Sequence, residues 1–258
     1  MPRNDSEEVI RAATVAIGHA AKLLSDAGVD GKTLHDNKGK VYEAWILLAL
    51  GADLSKLLQC QPAWYTGSYR PVKRGEHIVF RGSPAKLKRD GRQTPGFLML
   101  KTLDGTAFEL HNSLQFTGAS RVDHELDICL LQNQARETWV TGDANYLPHL
   151  VGLELKCHTS AISLPLVRQA ALTRIDLSAS HGGQGHAFIY HGFVAFSSLS
   201  KNGRTLAQHY HLGVFEGIGK ELTNLAPAFT PVATLAEAIL EWWKTAPADR
   251  AGETFNRR

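Results

Sequence analysis

The sequence has few of the features that mark specialised classes of protein. Its three cysteines, Cys60, Cys129 and Cys157, form no CxxC pair, which argues against a disulfide scaffold or a cysteine-rich zinc finger. No GxSxG or GxxxxGK[ST] motif is present, which argues against a nucleophile-elbow hydrolase and a P-loop nucleotidase. The longest apolar run, 44–50, is too short to span a bilayer, and the first residues lack the apolar core of a signal peptide. These absences predict a cytoplasmic protein with no membrane segment.

The charge of the chain is unevenly placed. The net charge is only +3, yet nine Lys or Arg residues and two acids fall between Arg70 and Lys101. Such a cluster indicates a polyanionic partner, although a solvated basic loop is the plain alternative. Aromatic residues are interleaved with the basic ones, a combination suited to stacking on bases and pairing with phosphates. They could equally form a small core of their own: Trp64, Tyr65, Tyr69, Phe80 and Phe97.

Hydrophobic periodicity predicts an α/β fold with a central mixed sheet flanked by helices. Helices are expected at Ser6–Ala27, about Gly39–Leu58, Ile162–Ile175 and Leu235–Trp243. Strands are expected at His77–Phe80, Phe97–Leu100, Ala107–Thr117, His124–Gln132, Val151–His158, Ala187–Ser197 and His209–Phe215. We expect one domain over 1–258, with N-terminal helices in 1–60, a basic β-rich insertion in 61–105 and the core with a C-terminal helix in 106–258.

Two of the expected strands carry charges between apolar residues. Alternation predicts Leu126, Ile128 and Leu130 on one face of the first strand, with Glu125 and Asp127 on the other. On the next strand, the same pattern puts 153, 155 and 157 on one face and 154, 156 and 158 on the other. Charged groups in a sheet interior are costly unless they are paired or bind a metal. The pattern therefore predicts a functional site.

The residue types in this pattern favour one kind of chemistry. If the two strands are neighbours, Asp127 and Glu154 can share a cation, and carboxylate ligands select Mg²⁺ or Mn²⁺ over zinc. Lys156 shares a face with Glu154 and can support an attacking water or a phosphate. Glu43, inside an expected buried helix, also needs a partner. The combination indicates a phosphodiester hydrolase.

Asp127 followed by Glu154-Leu155-Lys156 resembles the motif of the PD-(D/E)xK nuclease superfamily. The core of that family runs helix, three-stranded meander, helix, strand, and the order expected over residues 40–200 is similar. The resemblance implies a restriction-endonuclease-like core in which Asp127 and Glu154 bind the metal and Lys156 assists the water. Glu43 matches the helix-borne glutamate of many members, and Gln169 lies where some members carry a polar residue.

The resemblance implies an Mg²⁺- or Mn²⁺-dependent endonuclease that acts on DNA, with RNA as an alternative substrate. It further implies a role in restriction or anti-phage defence, and a homodimer or a partner defence protein. The contacts to nucleic acid would come from Gln169 and from these residues of the basic insertion: Arg70, Lys73, Arg74, Lys86, Lys88, Arg89 and Arg92. Two other hypotheses stay open, a non-catalytic nucleic-acid- or partner-binding module on the same fold and a zinc hydrolase that uses the histidines.

Overall fold

A computed structural model describes residues 28–29, 38–86, 96–132, 150–158, 160–179, 189–218 and 231–245 of the chain. The helix predicted at Ser6–Ala27 lies outside the described residues. Within the described ranges, no helix combines the length and the apolar character needed to cross a lipid bilayer.

The described residues form an α/β fold with a seven-stranded mixed sheet and four helices. The strands are β1 (Pro62–Tyr65), β2 (Phe97–Lys101), β3 (Ala107–Thr117), β4 (Asp123–Gln132), β5 (Leu150–Lys156), β6 (Ile189–Ala195) and β7 (Gly213–Glu216). The helices are α1 (Lys38–Leu57), α2 (Leu164–Ala179), α3 (Lys201–His209) and α4 (Pro231–Thr245).

The order of strands in the sheet follows the order in the sequence. Successive strands from β1 to β5 pair antiparallel, whereas β6 is parallel to β5 and β7 is parallel to β6. Parallel neighbours need a crossover, and α2 and α3 provide the two crossovers. The first half of the sheet is thus a meander and the second half is built from βαβ units.

Helices cover both faces of the sheet. Helix α1 is apolar on most of its circumference and packs with α4 against one face, in a cluster that includes Ile46, Leu50 and Ile239. Helices α2 and α3 cover the other face over β6, where Val167 and Ala207 surround Phe193. The prediction of a buried helix near 39–58 is confirmed, and its bounds differ from the prediction by one residue at each end.

Two predicted strands were wrong, and one strand was missed. Residues 77–80 form no strand, since Ile78 makes a single bridge to Val29 and no ladder. Strand β1 was missed: it is a four-residue edge strand that begins with Pro62, a position where a missing N–H is tolerated. The predicted strand 209–215 begins only at Gly213, because His209 ends α3.

Helix α3 was also missed. It is short and polar, and its N-terminus is capped by Ser200, whose Oγ accepts a hydrogen bond from Gly203 N at 3.1 Å. Tertiary packing on α2 buries Gly203 and Ala207 and supports a segment with little helix signal of its own.

Candidate active site

Strands β4 and β5 part at the position of the predicted site. Their ladder ends at the pair Ile128–Leu153, while β5 stays paired with β6 as far as Lys156. Where the ladder ends, Asp127 Oδ2 accepts a hydrogen bond from Leu155 N at 2.7 Å. The carboxylate thus takes the place of a ladder partner and is held at the opening between the two strands.

The neighbouring strand β3 is distorted at the same level. The β3–β4 ladder pairs Asn112 with Ile128 and Leu114 with Leu126, and it skips Ser113 opposite Asp127. Ser113 has a φ of 47°, a left-handed conformation that is costly for a residue with a side chain. Strain of this kind in a strand is typical of functional sites.

The distortion exchanges the two faces of β3 and β4. Before it, Leu110 and Ile128 pack in the core beside α1, and beyond it Leu114 and Leu126 pack in a separate cluster that includes Leu177 of α2. The predicted alternation of Leu126, Ile128 and Leu130 on one face was therefore wrong, because the chain switches faces between Leu126 and Ile128.

The alternation predicted for β5 is confirmed. Leu153 and Leu155 pack in the core beside α1, and Cys157 packs against that core. Glu154 is paired with Phe193, which belongs to the core under α2 and α3, so Glu154 lies on that other face. The side chain of Glu154 remains buried.

The three residues of the predicted motif converge. Lys156 Nζ lies 2.5 Å from Glu154 Oε1 and 3.9 Å from Asp127 Oδ2. Burial works to lower the pKa of Lys156, but the charges of Glu154 and Asp127 outweigh it and the pKa is raised. Lys156 is therefore a fixed cation that can donate hydrogen bonds to an anion or a water.

Glu43 reaches the same region from the start of α1. Its carboxylate binds Lys40 Nζ through Oε1 at 2.9 Å and Oε2 at 2.8 Å, and its Oε2 accepts a hydrogen bond from Ser113 Oγ at 3.1 Å. Lys40 Nζ also lies 2.6 Å from Ser113 Oγ and 3.4 Å from Glu125 Oε1. Sequence reasoning missed Lys40 and Ser113, and the one available signal was the three-residue spacing of Lys40 and Glu43 on a helix.

The charges of this cluster do not balance locally. Glu43 and Glu154 each bond an ammonium group, whereas the nearest ammonium to Asp127 among the described residues is that of Lys156, beyond hydrogen-bond distance. Burial, then the charges of Glu154 and Glu43, raise the pKa of Asp127 well above its usual range. Asp127 is thus a buried acid that favours either a proton or an added cation.

The carboxylate groups are of the type that a hard divalent cation prefers, but they do not form a complete coordination shell. Carboxylate oxygens are the ligands that Mg²⁺ and Mn²⁺ prefer, and the excess negative charge at Asp127 favours a cation. In the described part of the chain, however, no group of three or more His, Cys, Asp or Glu side chains is arranged to hold a metal ion. Both oxygens of Glu43 bond Lys40, whereas Glu154 bonds Lys156 through Oε1 alone, so Asp127 and Glu154 are the pair that could take an ion.

Part of the basic insertion is neutralised by neighbouring acids. Arg70 Nη1 lies 2.8 Å from Glu76, and Lys86 Nζ lies 2.8 Å from Asp123. The remaining residues predicted to contact nucleic acid divide into two groups. Lys73, Arg74 and Gln169 are exposed, while Lys88, Arg89 and Arg92 lie outside the described residues.

The insertion lies directly beside the distorted part of β3. Ala85 N donates to Ser113 O at 3.2 Å and Gln115 N donates to Ala85 O at 3.1 Å. Arg81 is buried and donates from Nη1 to Asn112 O at 3.1 Å. These bonds place residues 81–85 of the insertion beside β3 at the level of Ser113.

The aromatic residues of the insertion pack on one another. The ring centroids of Trp64 and Phe80 are 5.6 Å apart, and those of Tyr69 and Phe97 are 5.0 Å apart. Of the two alternatives, the structure favours a small core over a free stacking surface.

The zinc hypothesis rests on His209 and His211 on one strand face, with His181, His186 and His191 upstream in the sequence. His209 ends α3 and His211 lies in the following turn, so the two do not share a strand face. His191 is buried on β6, and neither ring nitrogen has a hydrogen-bond partner among the described residues. His181 and His186 lie outside those residues.

Comparison with models of known protein families, with curated proteins and with solved structures finds no match to this chain. What the site can do therefore follows from its own geometry and charge.

Proposed function

We propose that this protein is an Mg²⁺- or Mn²⁺-dependent endonuclease that hydrolyses phosphodiester bonds in DNA. One observation carries the proposal: Asp127, Glu154 and Lys156 meet where β4 and β5 part, and among the described residues the nearest ammonium group to the buried Asp127 carboxylate, that of Lys156, lies 3.9 Å away. The order α1, β3–β4–β5 meander, α2, β6 supports a restriction-endonuclease-like core, since it is the order that the resemblance implies.

Each group would have a separate task in hydrolysis. Asp127 and Glu154 would hold the divalent ion, which when bound supplies positive charge on the phosphate and lowers the pKa of a bound water. The Leu155 N–H fixes the direction of the Asp127 carboxylate. Lys156 would orient the attacking water and offset charge that develops on the phosphate, because its ammonium group stays protonated and is held between the two acids.

The substrate follows from charge and position. A phosphodiester backbone is polyanionic, and main-chain bonds of Ala85 join the basic insertion to β3 beside Ser113, which contacts Glu43. The exposed Lys73 and Arg74 are the described cations best suited to contact phosphates, since Arg70 and Lys86 already pair with acids. A role in defence against phage stays a prediction of the resemblance.

The test is cleavage of supercoiled plasmid by the purified chain. We expect cleavage with Mg²⁺ or Mn²⁺ and none with chelator, and we expect Asp127→Asn and Lys156→Met each to lower the rate by at least about 10²-fold. Lys244→Met and Glu241→Gln, which alter an exposed pair on α4, are matched controls and should cut at the wild-type rate.

The alternatives are separated by the same experiment. Salt-sensitive binding of DNA with no cleavage under any divalent ion would replace the nuclease by a binding module. Cleavage of a single-stranded RNA of the same length, with the plasmid untouched, would change the substrate but not the site. Full activity of either motif variant, with circular dichroism unchanged, would remove the catalytic assignment.

A further inference from the structure

Lys40 is surrounded by oxygens in the way that a bound cation is. Its Nζ contacts both carboxylate oxygens of Glu43, at 2.9 and 2.8 Å, Ser113 Oγ at 2.6 Å and Glu125 Oε1 at 3.4 Å. The Lys40 side chain is only 11% exposed. Four oxygens from α1, β3 and β4 thus enclose one ammonium group.

A second pair on the same helix shows what an ordinary lysine does. Lys56 and Asp53 have the same three-residue spacing and an Nζ to Oδ1 distance of 3.0 Å, but the Lys56 side chain is 75% exposed. Exposed pairs of this kind contribute little to stability or to geometry. Lys40 differs because residues distant in the sequence converge on it.

The inference about Lys40 rests on the proposed nuclease function. We infer that Lys40 takes the place of a second divalent ion, so that the site binds a single ion at Asp127 and Glu154 while Lys40 holds Glu43 and Glu125. In this arrangement Lys40 is a positioning residue: it holds Glu43 and Glu125 so that they bind no second ion.

The count of charges supports a single ion. Within the part of the chain that the structure describes, four carboxylates and two ammonium groups lie in the cluster, and one divalent ion neutralises the difference. A second divalent ion would need the place that Lys40 holds. Lys40 keeps its proton there: burial acts to lower its pKa, but the neighbouring carboxylates, Glu43 first, outweigh burial and raise it.

The test is the number of Mn²⁺ ions bound per chain, measured on the full-length protein by titration with electron paramagnetic resonance detection of free Mn²⁺. We expect one ion for the wild type and two for Lys40→Met, which frees two carboxylates without adding bulk. Lys56→Met is the matched control and should bind one ion.

A charge-neutral double variant covers the case in which Lys40→Met fails to fold. Lys40→Met with Glu43→Gln removes both members of the pair, and we expect one ion with an affinity within about threefold of the wild type. A loss of about tenfold or more would show that Glu43 is a direct ligand and would overturn the inference.

The remaining outcomes distinguish this inference from the proposed function. Two ions in the wild type, or one ion in folded Lys40→Met, would overturn the role of Lys40 and leave the nuclease intact. No Mn²⁺ bound by the wild type would remove the nuclease itself, and the role of Lys40 with it.

Discussion

Replacing Asp127 with asparagine should make the metal-free protein more stable while it removes activity. Asp127 is 8% exposed and is flanked by the carboxylates of Glu154 and Glu43, which with burial raise its pKa well above the usual range. The amide has no charge to bury, and its oxygen can still accept the hydrogen bond from Leu155 N. The variant therefore keeps the local bond and loses the repulsion.

The size of the effect follows from the cost of a poorly compensated buried charge. A buried polar group without full compensation costs about 1–3 kcal/mol, and more when it is charged. For a chain of this size, each kcal/mol corresponds to a shift in Tm of about 2–4 °C. We expect an increase within this range for Asp127→Asn at pH 8 with chelator present, measured by calorimetry.

The pH dependence gives the sign of the effect. Because the pKa is raised in the folded state, the folded protein binds this proton more tightly than the unfolded chain does. The stability that the proton confers is complete below about pH 4 and is lost as pH rises through the folded pKa of Asp127. The advantage of the asparagine should therefore grow from acid to alkaline pH.

Added metal and a matched control complete the design. Mg²⁺ should stabilise the wild type but not the variant, by about 2.7 kcal/mol at a concentration one hundred times its Kd. Asp123→Asn is the control on the same strand: Asp123 is exposed and pairs with Lys86, so its loss should not stabilise the protein. If Asp127→Asn were neutral or destabilising at pH 8 without metal, the argument that the charge of Asp127 is poorly compensated would be refuted.

Three other perturbations test separate parts of the structure. Ser113→Ala should lower stability more than Ser113→Gly, by about 0.5–1 kcal/mol in urea denaturation. Both variants lose the hydroxyl, but only glycine relaxes the left-handed backbone, so equal losses of stability would contradict the strain at this position. Burial, then the charges of Arg174 and Lys156, lower the pKa of His191 to about 3. Stability should therefore fall as pH drops from about 6.5 towards that value. His191→Leu should make stability less dependent on pH in this range, and an unchanged dependence would be evidence against the role of His191. If Lys73 contacts DNA, Lys73→Ala should reduce the slope of log Kd against log salt by about one, and an unchanged slope would exclude the contact.

The parts of the fold that the sequence predicted are those with strong local patterns. The apolar run around residues 41–50 marks α1, and alternation marks β5, so both elements and the acids they carry could be placed in advance. Asp127, Glu154 and Lys156 could be brought together because they lie on strands expected to be neighbours, although the faces predicted for β4 were wrong.

The parts that were missed depend on contacts between distant residues. Lys40 meets Ser113 and Glu125, which lie 73 and 85 positions away, and no local pattern signals such a meeting. The exchange of faces at Ser113 was equally hidden, because a left-handed serine in a strand is imposed by its tertiary surroundings and not by its own preference. Helix α3 was missed because packing on α2 supports a short polar segment.

The bonds between Ala85 and β3 have a mechanical consequence. Main-chain hydrogen bonds join Ala85 to Ser113 and to Gln115, and the Ser113 hydroxyl contacts both Lys40 and Glu43. A displacement of the segment that carries Lys86 would therefore shift Ser113, and through Ser113 the carboxylate of Glu43 on α1. The position of Lys86 and the position of the Glu43 carboxylate are therefore coupled through one residue.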